Sequence, residues 1–407
     1  MSGKIVLILG GGVGGLVTAN ELRQRLSLEH RIIIVDRESK HLHNPSLLWL
    51  MLGWREPEQI QASLGKLAGR GIEFIQAEIE SIDPVARKVA TSAGDFSGDY
   101  LIVSLGAQPA PELTPGFNEA AHTPYTLDGA TRLRDALRGF DGGKLVVAVT
   151  GLPYRCPAAP YETAIMMHAF LEQRGLRKKT DLQMITPEGM PMGTAGADMA
   201  EAVKAMLVER EISFRPLTLT QSVDTSTKEL VLESGERVGF NLLVGVPPHR
   251  SPKVVRDTKL VNEAGWVPVD GETLATPFEG VFAIGDVTTV SLPGRFKPDM
   301  PLVLPKAGVF AHKQAEVLAN NIAVAITGKG KIEGFDGFGG CFIELGDGRA
   351  GYAEGDFYGA QAPDIKLRTP ARRWHWAKAL IEKYWLWRWF SSWPQVMKKI
   401  GDRIVFG

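Results

Sequence analysis

The sequence predicts an α/β fold of two parallel-sheet units, the second inserted into the first, followed by a C-terminal segment of different chemistry. Three observations carry that expectation. Residues 4–9 and 145–149 are short apolar runs of the kind used by parallel strands buried on both faces, and each leads through a turn into a helical pattern. The first turn is rich in glycine, whereas the second is filled with prolines around a cysteine. Six of the nine tryptophans then fall between residues 374 and 393, among lysines and arginines.

The first run enters Gly10-Gly11-Gly12-Val13-Gly14-Gly15, with Gly10, Gly12 and Gly15 at dinucleotide spacing and Gly14 completing the cluster, before a helix expected over 16–26. In such a loop one glycine makes the tight turn, one admits a pyrophosphate to the backbone, and one lets the helix pack close to the strand. A strand over 31–35 ends at Asp36, 21 residues beyond Gly15, where a carboxylate accepts hydrogen bonds from ribose hydroxyls. These elements together specify a Rossmann-like dinucleotide-binding domain. Residues 71–82 add a strand pair, and 94–105 form a hairpin-like stretch running into Gly106 and Pro109, where the chain leaves this domain.

The stretch 144–162, KLVVAVTGLPYRCPAAPYE, organises the insert. It reads as strand, turn and helix (161–171), but of the nucleotide-loop glycines only Gly151 is present. Pro153, Tyr154, Arg155, Cys156 and Pro157 stiffen the turn and place a thiol where a second nucleotide would lie. A small buried hydrophobe is the ordinary alternative for Cys156. Further elements at 181–186 and 198–209 give the insert Rossmann-like topology. The expected division is 1–112 and 240–325 for the first domain, 113–239 for the insert, and 326–407 for the C-terminal region, with 241–246 returning to the first domain.

Residues 265–286 end in Ala283-Ile284-Gly285-Asp286. A strand running into Gly-Asp sets a carboxylate against the ribityl hydroxyls of a flavin, so the fingerprints in sequence point to FAD rather than NAD alone. Pro305-Lys306-Ala307-Gly308 opens a helix over 309–322. Lys306 suits negative charge on a reduced flavin, or is a solvated helix-start residue. Cys341 is expected on a loop entering a sheet.

Composition narrows the function classes. Lysine plus arginine equals aspartate plus glutamate at 46 each, which favours no nucleic-acid partner. Two cysteines 185 residues apart exclude a disulfide scaffold, a zinc site and a Cys-x-x-Cys motif, and no metal is expected. The first strand begins too early for a signal peptide, and no run of 18 apolar residues would span a membrane. Residues 372–400 carry seven basic side chains and one acid, the composition of an amphipathic, interfacial anchor. A domain-closing or dimerisation helix is the alternative, and a homo-oligomer remains an option.

Over nearly its whole length the chain resembles the sulfide:quinone oxidoreductase and flavocytochrome c sulfide dehydrogenase group of two-dinucleotide-binding-domain flavoproteins. The matching pieces are GGGVGG at 10–15, PYRCPAAPYE at 153–162, AIGDV at 283–287, PKAGVFAHKQA at 305–315 and the late Cys341. The resemblance implies that Cys156 and Cys341 meet at the flavin as a redox pair, that sulfide is oxidised to polysulfide or sulfur, and that electrons pass to a membrane quinone at a lipid surface. It makes the protein a peripheral, monotopic membrane enzyme. The third cysteine common in that family has no counterpart at His122-Thr123-Pro124-Tyr125, so FAD is expected to be held without a covalent link. Glu162 is a candidate proton relay, or an acid that simply stabilises its helix start. His122, His168 and His312 receive no role. The rivals are a type II NADH:quinone reductase, which needs a second glycine loop, a sulfide dehydrogenase using cytochrome c, and a flavin-binding sensor without turnover.

Overall fold

The structure, a computed structural model, describes residues 3–297 and 301–391; Trp393, last of the C-terminal tryptophans, lies outside the described residues. The chain opens with β1 (Ile5–Leu9), α1 (Val13–Arg25), β2 (Arg31–Asp36), β3 (Glu73–Gln76) and β4 (Tyr100–Val103). A second unit follows, with β5 (Ala121–His122), α2 (Leu127–Gly139), β6 (Gly143–Val149), α3 (Ala159–Gln173), β7 (Thr180–Ile185), α4 (Ala197–Glu209), β8 (Ser213–Arg215) and β9 (Leu242–Val246). The chain returns through β10 (Val281–Ala283) and α5 (Gly308–Thr327). It ends in β11 (Phe338–Glu344), β12 (Ala350–Asp356), β13 (Asp364–Ala371) and α6 (Arg372–Phe390).

The first sheet has the order β10-β4-β1-β2-β3 and is parallel throughout. Its strands lack polar alternation because both faces are covered. Val6, Ile8, Ile32 and Ile34 pack on one side with Leu16 and Leu22 of α1 and with Leu318 and Ile322 of α5. Leu7, Leu9, Ile33 and Val35 pack on the other with Val255, Leu260 and Val267. α1 starts at Val13, three residues before the expected 16, so Gly14 and Gly15 lie inside its first turn.

The second sheet, β5-β9-β6-β7-β8, is also parallel and corrects the expected domain division. Residues 241–246 do not return to the first domain. β9 sits between β5 and β6, with Leu145 opposite Leu242 and Val149 opposite Val246, so the insert includes this strand beyond residue 239. Every residue of β9 is buried, with Leu242, Val244 and Val246 packed in the core on one face of this sheet and Leu243 in that on the other.

β11, β12 and β13 form an antiparallel sheet. Cys341 lies within β11, opposite Ala353, and not on a loop before it as expected. α6 is not uniformly outward. Lys378, Glu382, Trp385, Arg388 and Trp389 recur at helical spacing on a buried face, whereas Arg372, Arg373, Trp376, Leu380 and Lys383 are exposed. Two of the seven basic side chains that suggested an interfacial anchor, Lys378 and Arg388, do not face outward: both are ion-paired inside the protein, Lys378 with Glu162 at 3.1 Å and Arg388 with Glu21 at 3.4 Å. No helix among the described residues is long and apolar enough to cross a membrane.

Candidate active site

The glycine loop divides into positions that serve packing and a position that serves a ligand. A Cβ on Gly15 would lie 1.9 Å from the Gly10 carbonyl oxygen, and one on Gly10 would lie 2.4 Å from the Ser104 carbonyl oxygen. Gly14 likewise faces Ser104 Oγ at 2.5 Å and Ile284 at 3.0 Å, so it serves helix packing. A Cβ on Gly12 meets nothing within 4 Å, and the same holds at Gly106. These open backbone faces suit a pyrophosphate beside the α1 N-terminus and a ring system beyond it. The Asp36 carboxylate accepts from Gly11 N–H at 2.6 Å and from Glu38 N–H at 2.8 Å, which fixes it at the end of β2 with lone pairs left for ribose.

The Gly285-Asp286 turn supplies the second test of a flavin. Gly285 N–H donates to Gln314 Oε1 at 2.8 Å. Asp286 Oδ1 is buried with no protein partner, and burial raises the carboxyl pKa against the pull of Arg155 and Lys306. A buried carboxylate oxygen without a donor is costly, and ribityl hydroxyls are the donors that would satisfy it. The residues present therefore fit FAD.

Lys306 is placed differently from a free cation at a flavin edge. Its ammonium donates to the carbonyls of Asp286 (2.8 Å) and Thr288 (3.0 Å) and lies 3.3 Å from the Trp266 ring centroid. Burial lowers its pKa to about 8, with Asp286 opposing. Its own carbonyl oxygen accepts from Cys156 N–H at 2.6 Å, tying the flavin side of the site to the cysteine turn.

That turn is held at several points. Cys156 has φ of +58°, a left-handed conformation costing a non-glycine residue roughly 1–2 kcal/mol. Bonds from His249 N–H to Pro153 O (2.7 Å) and from Ala159 N–H to Cys156 O (3.0 Å) help to hold it. The two thiols, 185 residues apart in sequence, stand within hydrogen-bonding reach of one another. They share an apolar recess, lined also by Met192, Pro305, Phe310 and Phe357. The hydrogen bond to Cys341, then burial, pushes the Cys156 thiol up, while the same bond holds Cys341 down. The pair loses its first proton from Cys341.

Behind the thiols lies a buried charge cluster. Glu162, 2% exposed, accepts at Oε1 from Glu344 N–H (2.8 Å) and from Lys378 Nζ (3.1 Å). Glu344 Oε2 is 4.0 Å from the same ammonium, and Glu344 Oε1 is 2.9 Å from His375 Nδ1. Burial works to lower the Lys378 pKa, but Glu162 and Glu344 outweigh it and the net shift is upward. Glu162 thus joins α3, β11 and α6 in one contact.

Several of these residues were not singled out by sequence. Glu344 and His375 carry no local motif, Lys378 counts only as one of the basic side chains of 372–400, and Arg155 reads only as part of the stiffened turn. Arg155 donates to the carbonyls of Ala107 (3.4 Å) and Tyr125 and to Asn44 Oδ1 (3.4 Å), bridging the insert to the first domain. His41 Nδ1 lies 2.9 Å from the Gly11 carbonyl oxygen, and Trp385 Nε1–H donates to His41 Nε2 at 3.2 Å, so α6 reaches the glycine loop through one imidazole. Of the unassigned histidines, His312 lies 3.1 Å from Glu316 and packs against Trp385 and Trp389. His122 and His168 have pKa values lowered by burial and do not join the site.

The chain is similar in sequence and fold to known proteins. The family model described as pyridine nucleotide-disulphide oxidoreductase matches residues 4–315. The mitochondrial sulfide:quinone oxidoreductase of Mus musculus is 27% identical over 368 residues, covering 86% of this chain and 78% of that protein. The sulfide-quinone reductase of Aquifex aeolicus is 28% identical over 401 residues, covering 95% and 91%. The crystal structure of the sulfide:quinone oxidoreductase from Aquifex aeolicus superimposes with a TM-score of 0.86 at 25% identity, covering 99% of this chain and 95% of that one.

Proposed function

The chain belongs to the pyridine nucleotide-disulphide oxidoreductase family, and from that premise we propose that it oxidises sulfide at Cys156 and Cys341 and delivers the electrons through FAD to a quinone. The observation that carries this reading is the meeting of two distant thiols in an apolar recess bordered by Pro305 and Ala307, beside the Gly285-Asp286 turn. Sulfide attacks the Cys156–Cys341 disulfide, one S–S bond breaks, and the products are a persulfide on one cysteine and a thiolate on the other. Cys341, held down by its partner's hydrogen bond, is the better thiolate. FAD, held by the glycine loop, Asp36 and Asp286, would supply a two-electron acceptor between that thiolate–persulfide pair and quinone. Overall, hydrogen sulfide and quinone give zero-valent sulfur and quinol: the outer persulfide sulfur leaves as the Cys156–Cys341 bond re-forms, and two electrons and two protons end on the quinone.

The chain's own groups set the conditions for this exchange. The Lys378 ammonium lowers both thiol pKa values through space, whereas Glu162 raises them, so the lysine–glutamate pair meters the negative charge on sulfur. Glu162 acts in this reading by fixing Lys378, with no separate proton transfer assigned to it. FAD is held without a covalent bond, by the glycine loop, Asp36 and Asp286. Anaerobic titration of the holoenzyme with sulfide should bleach the flavin, NADH should not, and acid precipitation should release the yellow colour. Bleaching by NADH at a comparable rate would overturn the assignment in favour of an NADH dehydrogenase.

The outward face of α6 supports a peripheral membrane position. Trp376 is 69% and Leu380 52% exposed, and Arg372, Arg373 and Lys383 flank them. Indole and leucine suit the acyl boundary while each cation adds about 1 kcal/mol near an anionic surface. Replacing both Trp376 and Leu380 with serine should lower cosedimentation with anionic liposomes by about tenfold or more, because neither side chain supports the core. Unchanged sedimentation with an intact fold would leave this face without a lipid role.

A further inference from the structure

Outside the thiol recess, the insert contains a carboxylate that the mechanism above does not use. Glu188 stands three residues beyond the end of β7, close to where a nucleotide-binding unit keeps the acid that receives ribose hydroxyls. In this protein its Oε2 accepts from two phenols and a threonine: Tyr154 Oη at 2.7 Å, Tyr161 Oη at 2.6 Å and Thr186 Oγ1 at 3.2 Å. Tyr161, fully buried, belongs to α3, whereas Tyr154 belongs to the turn and lies two residues before Cys156. One carboxylate oxygen therefore joins β7, α3 and the cysteine turn.

We propose that Glu188 is a positioning residue for Cys156, acting through Tyr154, and that its two phenol partners fill the place a second nucleotide's ribose would take. The geometry supports the first part because two neighbouring side chains hold the turn from different directions: Arg155 ties it to Ala107, Asn44 and Tyr125, whereas the Tyr154 hydroxyl ties it to Glu188 at the end of β7. His249 N–H and the Lys306 carbonyl hold its backbone. A turn that keeps a non-glycine residue in the left-handed region must be held on more than one side. With the Tyr154 hydroxyl bound to Glu188, the Cys156 thiol stays beside Cys341; without that bond, the turn samples positions in which the two sulfurs do not meet. The second part follows from occupancy, since two phenol hydroxyls already stand at Oε2 where ribose hydroxyls would sit.

This inference rests on the cysteine-pair reading only in taking the two thiols as partners in a disulfide, and its test requires no sulfide turnover. The holoenzyme is equilibrated without oxygen in mixtures of oxidised and reduced dithiothreitol, quenched in acid, and its free thiols are counted by alkylation and mass spectrometry. Two thiol protons and two electrons pass from Cys156 and Cys341 to the reagent's S–S bond as the protein disulfide forms. In Tyr154→Phe, which keeps the ring and loses the hydroxyl, the equilibrium constant for the disulfide should fall about tenfold, a shift of roughly 30 mV. Tyr161→Phe, which loses a bond on the helix side, should stay within about twofold of the parent, and Glu188→Gln, which keeps an amide oxygen for Tyr154, should lie between the two. If Tyr154→Phe lowers the melting temperature and leaves the constant unmoved, the contact is structural only and the proposal is overturned. Absence of any disulfide in the parent would instead remove the cysteine-pair reading.

Discussion

Exchange of either Cys156 or Cys341 for serine is expected to slow flavin reduction by sulfide by on the order of 10³-fold or more, with FAD still bound. A hydroxyl replaces a thiol of similar size in a recess where neither sulfur carries a fold-critical contact, so the cradle of Gly12, Asp36 and Asp286 is left intact. What is lost is the S–S bond that sulfide must attack, and no other cysteine in the chain can replace it. The two variants should differ in their remaining thiol. With alanine in place of serine, which leaves no hydroxyl to take the lost thiol's part, Cys341 alone loses the bond that held it down and Cys156 alone loses the bond that pushed it up. Iodoacetamide labelling against pH should therefore show the two single-thiol proteins closer together than the two thiols of the parent. Near-parental turnover in both variants would make the cysteines mere packing residues and end the proposed reaction.

Glu382→Ala should destabilise the protein by about 3–5 kcal/mol, because it leaves a guanidinium without its counter-ion in a largely dry site. Glu382 is fully buried. It receives Arg55 through Nε at 2.9 Å and Nη2 at 2.7 Å on Oε2, and Ser46 Oγ at 2.8 Å on Oε1. Arg55 also stacks 4.5 Å from the Trp49 centroid, so it cannot swing into water without uncovering that ring. Lys383→Ala is the matched control. Its ammonium is 57% exposed and 3.9 Å from the same carboxylate, and its loss should cost under about 1 kcal/mol. Equal denaturation midpoints for the two variants would show that α6 is held by its tryptophans alone.

The glycine loop was legible because its constraint is local. Gly10 and Gly15 face each other across one turn, and no side chain can enter a gap that closes to 1.9 Å. Asp36 and the Gly285-Asp286 turn follow from strand ends in the same way. The charge cluster at the cysteines was not legible, because Glu162, Glu344 and Lys378 meet only after three distant elements pack. α6 misled for a different reason. Its tryptophans occupy both faces, with Trp376 outward and Trp385 and Trp389 inward, and indole suits a lipid boundary and a protein core equally well. Buried cations on such a helix are invisible until their carboxylate partners are placed. The strand β9 escaped for want of any signal at all, since an apolar run does not name the sheet that receives it.

The position of β9 also sets an order of events during synthesis. β6 and β7 leave the ribosome early, yet β9, the strand that lies between β5 and β6, is completed only at Val246, about a hundred residues after β6. At translation rates of roughly 5–20 residues per second, one edge of β6 and the apolar side chains above it wait about 5–20 s for their neighbour. The first sheet waits longer, since β10 and the helix α5 that covers α1 follow the whole insert. Two half-built sheets with open parallel edges thus coexist on the nascent chain, each leaving unpaired backbone groups and apolar side chains uncovered until its late strand arrives.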